Sequence, residues 1–314
     1  MSHITVLVIG PDHEAALAPF NENREVVPYF VPMSAEQIAK RSEPTAIEMA
    51  HVHEREEWDE NVEGRAVVID GVPGLMSTHN LQGFWDWYSV GGRWAGYFPL
   101  KQGAGLAMLG VPGYSSPRGW VPCSTVPVGL AAQRAIEAQL AAYRGQTFGS
   151  GDHLHFEEQA AKYKARPRAD IVRLGDVDFD LARNEAEALA REAFAQWTSV
   201  FTVHGQPEAW ATIRDRMPQA YGTAREVYSA QPAIGAWQKT EAGRWGDCPV
   251  AMYGFDVEAY VAKQRAAALR PYAYVLDGKW RSRGDKVAEW SAEIDALYAS
   301  LPPDTLLTLV DCHS

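Results

Sequence analysis

Two runs of continuously apolar residues stand near opposite ends of this chain, and they constrain its fold more than anything between them. Ile4-Thr5-Val6-Leu7-Val8-Ile9 is broken by Gly10-Pro11, and Thr305 to Val310 (TLLTLV) leads straight into Asp311-Cys312-His313-Ser314. A run that is apolar at nearly every position has no face to offer water, so each reads as a buried central strand. Together they predict one sheet with both ends of the chain near its centre.

The span 128–269 follows a different period. Leu130, Ile136, Leu140 and Tyr143 recur at helical spacing and Gly145 ends the pattern. Asp152 can cap a helix over 153–165, and further helices are expected over 180–203, 206–216, 220–230 and 256–269. The expected fold class is therefore α+β, with a central mixed or antiparallel sheet for which a ferredoxin-like arrangement is one fit. Residues 1–127 and 270–314 would form the sheet core, and 128–269 a large, mostly helical insertion or cover. Short helices are expected over 34–41 and 45–60, each opened by capping-box spacing. Strands are expected over 64–70, 170–174 and 272–276, with turns at Gly71 to Gly74 and at the hairpin signal Asp277-Gly278.

Composition limits the partners. The 314 residues carry a formal charge of −11, which argues against non-specific nucleic-acid binding because a phosphate backbone needs clustered Lys and Arg. A local anion site is still compatible. No apolar run approaches the roughly 18 residues of a membrane span, and the first residues do not follow the pattern of a secretory signal. Three scattered cysteines make neither a disulfide framework nor a CxxC site. The expected setting is cytoplasmic, with no membrane partner. Dinucleotide, P-loop, nucleophile-elbow and HExxH motifs are absent.

The densest chemistry lies in Phe84-Trp85-Asp86-Trp87-Tyr88-Ser89-Val90-Gly91-Gly92-Arg93-Trp94. If the stretch is extended, Trp85 and Trp87 share one face, with Asp86 and Tyr88 on the other. Gly91-Gly92 permits close backbone approach to a ligand, and Arg93 offers a planar fork for carboxylate or phosphate. The competing reading is an aromatic core with Asp86 and Arg93 paired internally. At the other end, Asp311 and His313 share a face of their strand and suit acid–base work, whereas Cys312 points the opposite way. If the two terminal strands ran parallel, Asp12 and His13 would join Asp311 and His313; if antiparallel, that group dissolves. His51 and His53, and His153 and His155, are candidate metal ligands, but a helix would not converge either pair, and no metal is assigned. Lys279 to Lys286 is the one dense basic stretch, most simply a solvated turn.

Three blocks resemble a family of uncharacterised proteins of bacteriophages, prophages and some bacteria. They are WDWYSVGGRW at 85–94, YSAQPAI at 228–234 and SLPPDTLLTLVDCH at 300–313; TVLVIG at 5–10 and APFNEN at 18–23 are also similar. The resemblance spans most of the chain and brings no settled activity. It implies that Asp311, Cys312 and His313 belong to the family pattern. The chain departs from it at Ser314, where an extra apolar residue is expected.

The functional expectation is a protein that binds, and on one reading transforms, a small anionic or nucleotide-like molecule in a pocket lined by Trp, Arg and Gly. Trp85, Trp87 and Tyr88 would stack, Arg93 would hold the anion, and Asp311, Cys312 and His313 would supply chemistry. The alternative is a non-catalytic phage accessory protein, acting against host defence, that sequesters a signalling nucleotide or a host protein. No cofactor follows from the sequence.

Overall fold

A computed structural model describes residues 3–34, 36–38, 66–105, 107–111, 114–116, 119–121, 124–144, 152–243, 248–284 and 287–313. The helix expected over 45–60, with His51 and His53, lies outside these residues. The capping box at its predecessor is present: Ser34 N–H donates to Gln37 Oε1 at 2.9 Å and Gln37 N–H to Ser34 Oγ at 3.2 Å.

β1 (His3–Ile9) is followed by the short helix His13–Leu17, capped by Asp12. β2 (Tyr29–Pro32), β3 (Ala66–Ile69) and β4 (Val72–Ser77) make a separate three-stranded antiparallel sheet in the order β2-β4-β3. Its tight turn is Asp70-Gly71, with φ of 50° and 78°. Asp-Gly tolerates two successive positive φ values, so the chain reverses there and Val72 to Gly74 run as strand, not as the expected turn.

β5 (Trp87–Val90), β6 (Phe98–Pro99), β7 (Ala107–Val111), β8 (Tyr114–Ser116), β9 (Gly119–Val121) and β10 (Ser124–Pro127) come next. β11 (Arg168–Ala169) and β12 (Ile171–Arg173) lie within the mostly helical span. β13 (Ala273–Leu276), β14 (Lys279–Ser282) and β15 (Leu306–His313) complete the set among the described residues.

The main sheet is eight-stranded and mixed, in the order β10-β7-β12-β15-β1-β13-β14, with β5 also on β15. β1 is parallel to β13; the other pairings are antiparallel. The two strands at the chain's ends are neighbours in the middle of the sheet, as their unbroken apolar character requires. The fold is α+β. In a ferredoxin-like sheet the second strand of the inner hairpin lies beside the first strand of the fold; here the first, β13, does, so the order differs.

One edge of β15 is shared by two short strands. β12 pairs Leu306 to Thr308, and β5 pairs Val310 to His313. Leu309, at the junction, donates its N–H to Asp170 O and accepts from Gly91 N–H. Leu7, Leu307 and Leu309 are fully buried on one face, against Ile294 and Trp290 of the helix Val287–Ser300. Truncating one of these leucines to Ala costs about 2–5 kcal/mol. Val6, Val8, Val310 and Cys312 fill the other face, against Leu17 and Trp85.

The span 128–269 holds the helices Leu130–Arg144, Asp152–Ala165, Phe179–His204, Trp210–Arg216, Tyr221–Ser229, Pro232–Trp237, Pro249–Tyr253 and Val257–Ala266. Asp178 caps the longest, accepting from Leu181 N–H at 2.9 Å. Trp197, Ile213, Ile234 and Trp237 form a core of their own among these helices. The span is nonetheless stitched into the sheet: β12 lies between β7 and β15, and Val172, Leu174, Ala182 and Leu269 are buried with Leu7 and Leu307. It contributes a strand as well as a cover.

Candidate functional site: paired imidazoles at the end of the central strands

The face carrying Leu307 and Leu309 turns polar at its end. β15 continues as Asp311 and His313, β1 as Thr5 and His3, and β5 supplies Ser89 and Trp87; the antiparallel register sets His3 opposite His313, and His313 opposite Trp87. His3 Nδ1 meets Asp311 Oδ1 at 2.9 Å, and His313 Nδ1 meets Asp86 Oδ1 at 2.7 Å. A carboxylate only accepts, so each Nδ1 donates and each neutral ring keeps its lone pair on Nε2. The two imidazoles lie 5.3 Å apart, edge to face. Trp87 stacks on His313 at 5.3 Å and 16°, meets His3 edge-on at 5.5 Å, and is 45% exposed.

Both carboxylates are held from behind. Asp311 is 1% exposed, and its Oδ2 accepts the Arg93 N–H at 3.0 Å. Asp86 Oδ1 also accepts the Trp87 N–H at 2.8 Å. Desolvation pulls the Asp86 carboxyl upward, but the hydrogen bonds from His313 and the Trp87 N–H outweigh it and hold it below the usual range.

Gly91-Gly92 earns its place here through the protein's own acids. Gly92 has φ +50°, and a Cβ there would run into the Asp311 side chain and come within 2.7 Å of Ser89 Oγ. A Cβ on Gly91 would come within 2.5 Å of Asp170 Oδ2. Asp170 is fully buried between β11 and β12, with Oδ2 accepting from Gly96 and Gly110 N–H and Oδ1 from Tyr97 N–H, all at 2.9 Å. Burial pushes its carboxyl up to about 6 against these bonds and the nearby Arg168. Gly91-Gly92 is thus wedged between two buried carboxylates.

The other residues of the stretch divide. The chain bends at Asp86, whose N–H donates to His313 O, so the strand alternation starts only at Trp87. Trp85 and Trp87 therefore do not share a face. Trp85 is buried in the second core cluster with its indole N–H on Leu17 O, and Tyr88 packs there with it. Arg93 and Trp94 line a different cleft, with Tyr97 and Arg168. Cys312 is fully buried among Val6, Val8 and Val310, and burial pushes its thiol far up, then Asp311 adds to it. A thiol kept protonated in a core is a small apolar side chain, not a nucleophile.

Because β1 and β15 are antiparallel, Asp12 and His13 lie at the far end of β1, and the four-residue group conditional on parallel strands does not form. His3 takes that place. The two apolar runs place His3 near the residues after Val310 only if the strands are antiparallel, and neither that direction nor the register His3 opposite His313 is written in the local sequence. His153 and His155 fall on the helix Asp152–Ala165, two positions apart. Among the described residues no group of three or more His, Cys, Asp or Glu could hold a metal ion, and no helix is long and apolar enough to cross a membrane. No family model, curated protein or solved structure matches the chain.

Proposed function

We propose that the end of β1, β5 and β15 binds a small anionic, nucleotide-like molecule and moves protons on it. The observation that carries this reading is the pair of imidazoles 5.3 Å apart, each with its Nδ1 held by a different carboxylate. A carboxylate behind each Nδ1 fixes the tautomer and presents Nε2, the atom that takes a proton from a ligand and returns it. An Nε2 that carries a proton donates to an anionic oxygen of the ligand. Trp87 offers a half-open aromatic surface beside them for a flat ring, worth about 1–3 kcal/mol by analogy with base stacking.

Sequestration without turnover, as an accessory protein of a phage would do, uses the same residues and differs only in the fate of the ligand. The test is a thermal-shift screen of mono- and dinucleotides, with product analysis of each stabiliser. A ligand at one hundred times its Kd adds about 2.7 kcal/mol of stability. The reading expects Trp87→Ala to lose that gain, and His313→Gln to keep binding but end conversion. A ligand recovered intact after long incubation with the wild type assigns the site to sequestration. A stabiliser indifferent to Trp87→Ala and to both histidines places the ligand elsewhere and refutes the reading.

A further inference from the structure

We infer a second ligand site, for a small molecule with one anionic group and a short apolar body, in the cleft on the far side of the Arg93 loop. The cleft measures about 480 Å³, a volume typical of small-molecule sites. Its charged lining is Arg93, Lys162, Arg168 and Glu185, three cations against one carboxylate in a chain of net charge −11. Arg168 is committed: its guanidinium donates to Gly96 O, to Tyr97 O and, at 2.7 Å, to Glu185 Oε2. Glu185 is therefore neutralised within the wall. The Arg93 guanidinium is exposed, and among the described residues no hydrogen bond or ion pair engages it. Arg93 is thus the cation that the cleft leaves uncompensated, ready to receive an anion.

The rest of the lining is apolar. Ala182, Ala186 and Leu189 follow one another along one face of the helix Phe179–His204, and Ala268 and Leu269 line the cleft as well. Leu189 is 55% exposed, an apolar residue of the lining that the described residues leave half open. A cation beside an apolar strip selects an amphipathic monoanion or dianion over a free inorganic ion, which would leave the strip wet. This site is independent of the imidazole end, but shares one residue with it. Arg93 donates its backbone N–H to Asp311 Oδ2 and also lines the cleft.

Phenyl phosphate is a suitable probe and phenol its neutral control, followed by amide NMR and by calorimetry. The expected result is shifts at Ala186 and Leu189 with phenyl phosphate and not with phenol. Arg93→Gln, at an exposed side chain, should weaken binding about tenfold, the loss of one charge-assisted contact. Leu189→Glu should weaken it by at least as much, and His313→Gln should leave the Leu189 shifts unchanged. No shift at Ala186 and Leu189, equal response to phenol, or full binding by both cleft variants overturns the proposal. Loss of the Leu189 shifts in His313→Gln overturns it too, because the ligand would then belong to the imidazole end.

Discussion

Asp170→Asn tests the buried scaffold behind the Arg93 loop. Three backbone N–H groups converge on the two carboxylate oxygens. An asparagine has one acceptor oxygen, so at least one of these donors faces an NH2 group and loses its partner, at about 1–3 kcal/mol. That loss is constant with pH. The charge contributes a second effect that is not. The wild-type carboxyl stands at about 6 in the folded protein against an ordinary value of 3.8. The folded state therefore holds the proton between these values while the unfolded chain has released it. Stability from this group is complete below about 3.8 and is lost as pH rises through about 6. At about 1.4 kcal/mol per pH unit the interval is worth about 3 kcal/mol. Asparagine cannot titrate, so the stability of wild type minus variant should fall by about 3 kcal/mol between pH 3 and pH 7. The variant starts the less stable of the two and closes or reverses the gap by neutral pH. Urea unfolding at half-unit pH steps, with the slope m checked for constancy, measures this directly. A difference that is flat with pH, or that grows toward neutrality, refutes the account of Asp170 as a desolvated carboxylate.

Gly92→Ala should destabilise by about 1–3 kcal/mol from backbone strain at φ +50°, with more from the clash with Asp311, read by thermal or urea unfolding. Cys312→Ser should cost about 1–3 kcal/mol by burying a hydroxyl in an apolar core without changing ligand binding, and Cys312 should resist thiol reagents until the protein is unfolded. Asp86 is held below the usual carboxylate range, so its contribution is present at neutral pH and is lost on acidification through its lowered folded value. Asp86→Asn should therefore flatten the acid limb of the stability profile.

How much of this was legible in the sequence depended on how local the signal was. The central strands announced themselves because burial on both faces demands an unbroken apolar run, and Ile4 to Ile9 and Thr305 to Val310 have one. The Asp277-Gly278 hairpin, with φ of 50° and 69°, and the long helix after Asp178 were equally local. Register was not. Nothing near His3 says that it faces His313, because that depends on the direction in which β15 crosses β1. β12 went unassigned to the sheet for the same reason: three residues, Ile171 to Arg173, join β7 to β15 inside a span dominated by helices. In the Trp85 to Trp94 stretch the aromatic density was visible, but a single bend at Asp86 decided which tryptophan met solvent. The glycines had a local reason that sequence could not show, since Asp170 and Asp311 are far away in the chain.

The ladder around β15 also sets when the site can exist. The bond from His3 to Asp311 joins residues 308 positions apart, and the one from His313 to Asp86 joins residues 227 apart. Neither can form before β15 has docked between β1 on one side and β12 and β5 on the other. Closing loops of that length comes late, after shorter-range contacts have compacted the chain. During synthesis the helical span and the β2-β4-β3 sheet can fold while the imidazole of His3 waits without its carboxylate. Ligand affinity for the imidazole end should accordingly recover in the slowest phase of refolding, together with the burial of Cys312, and never in a chain cut before Leu306.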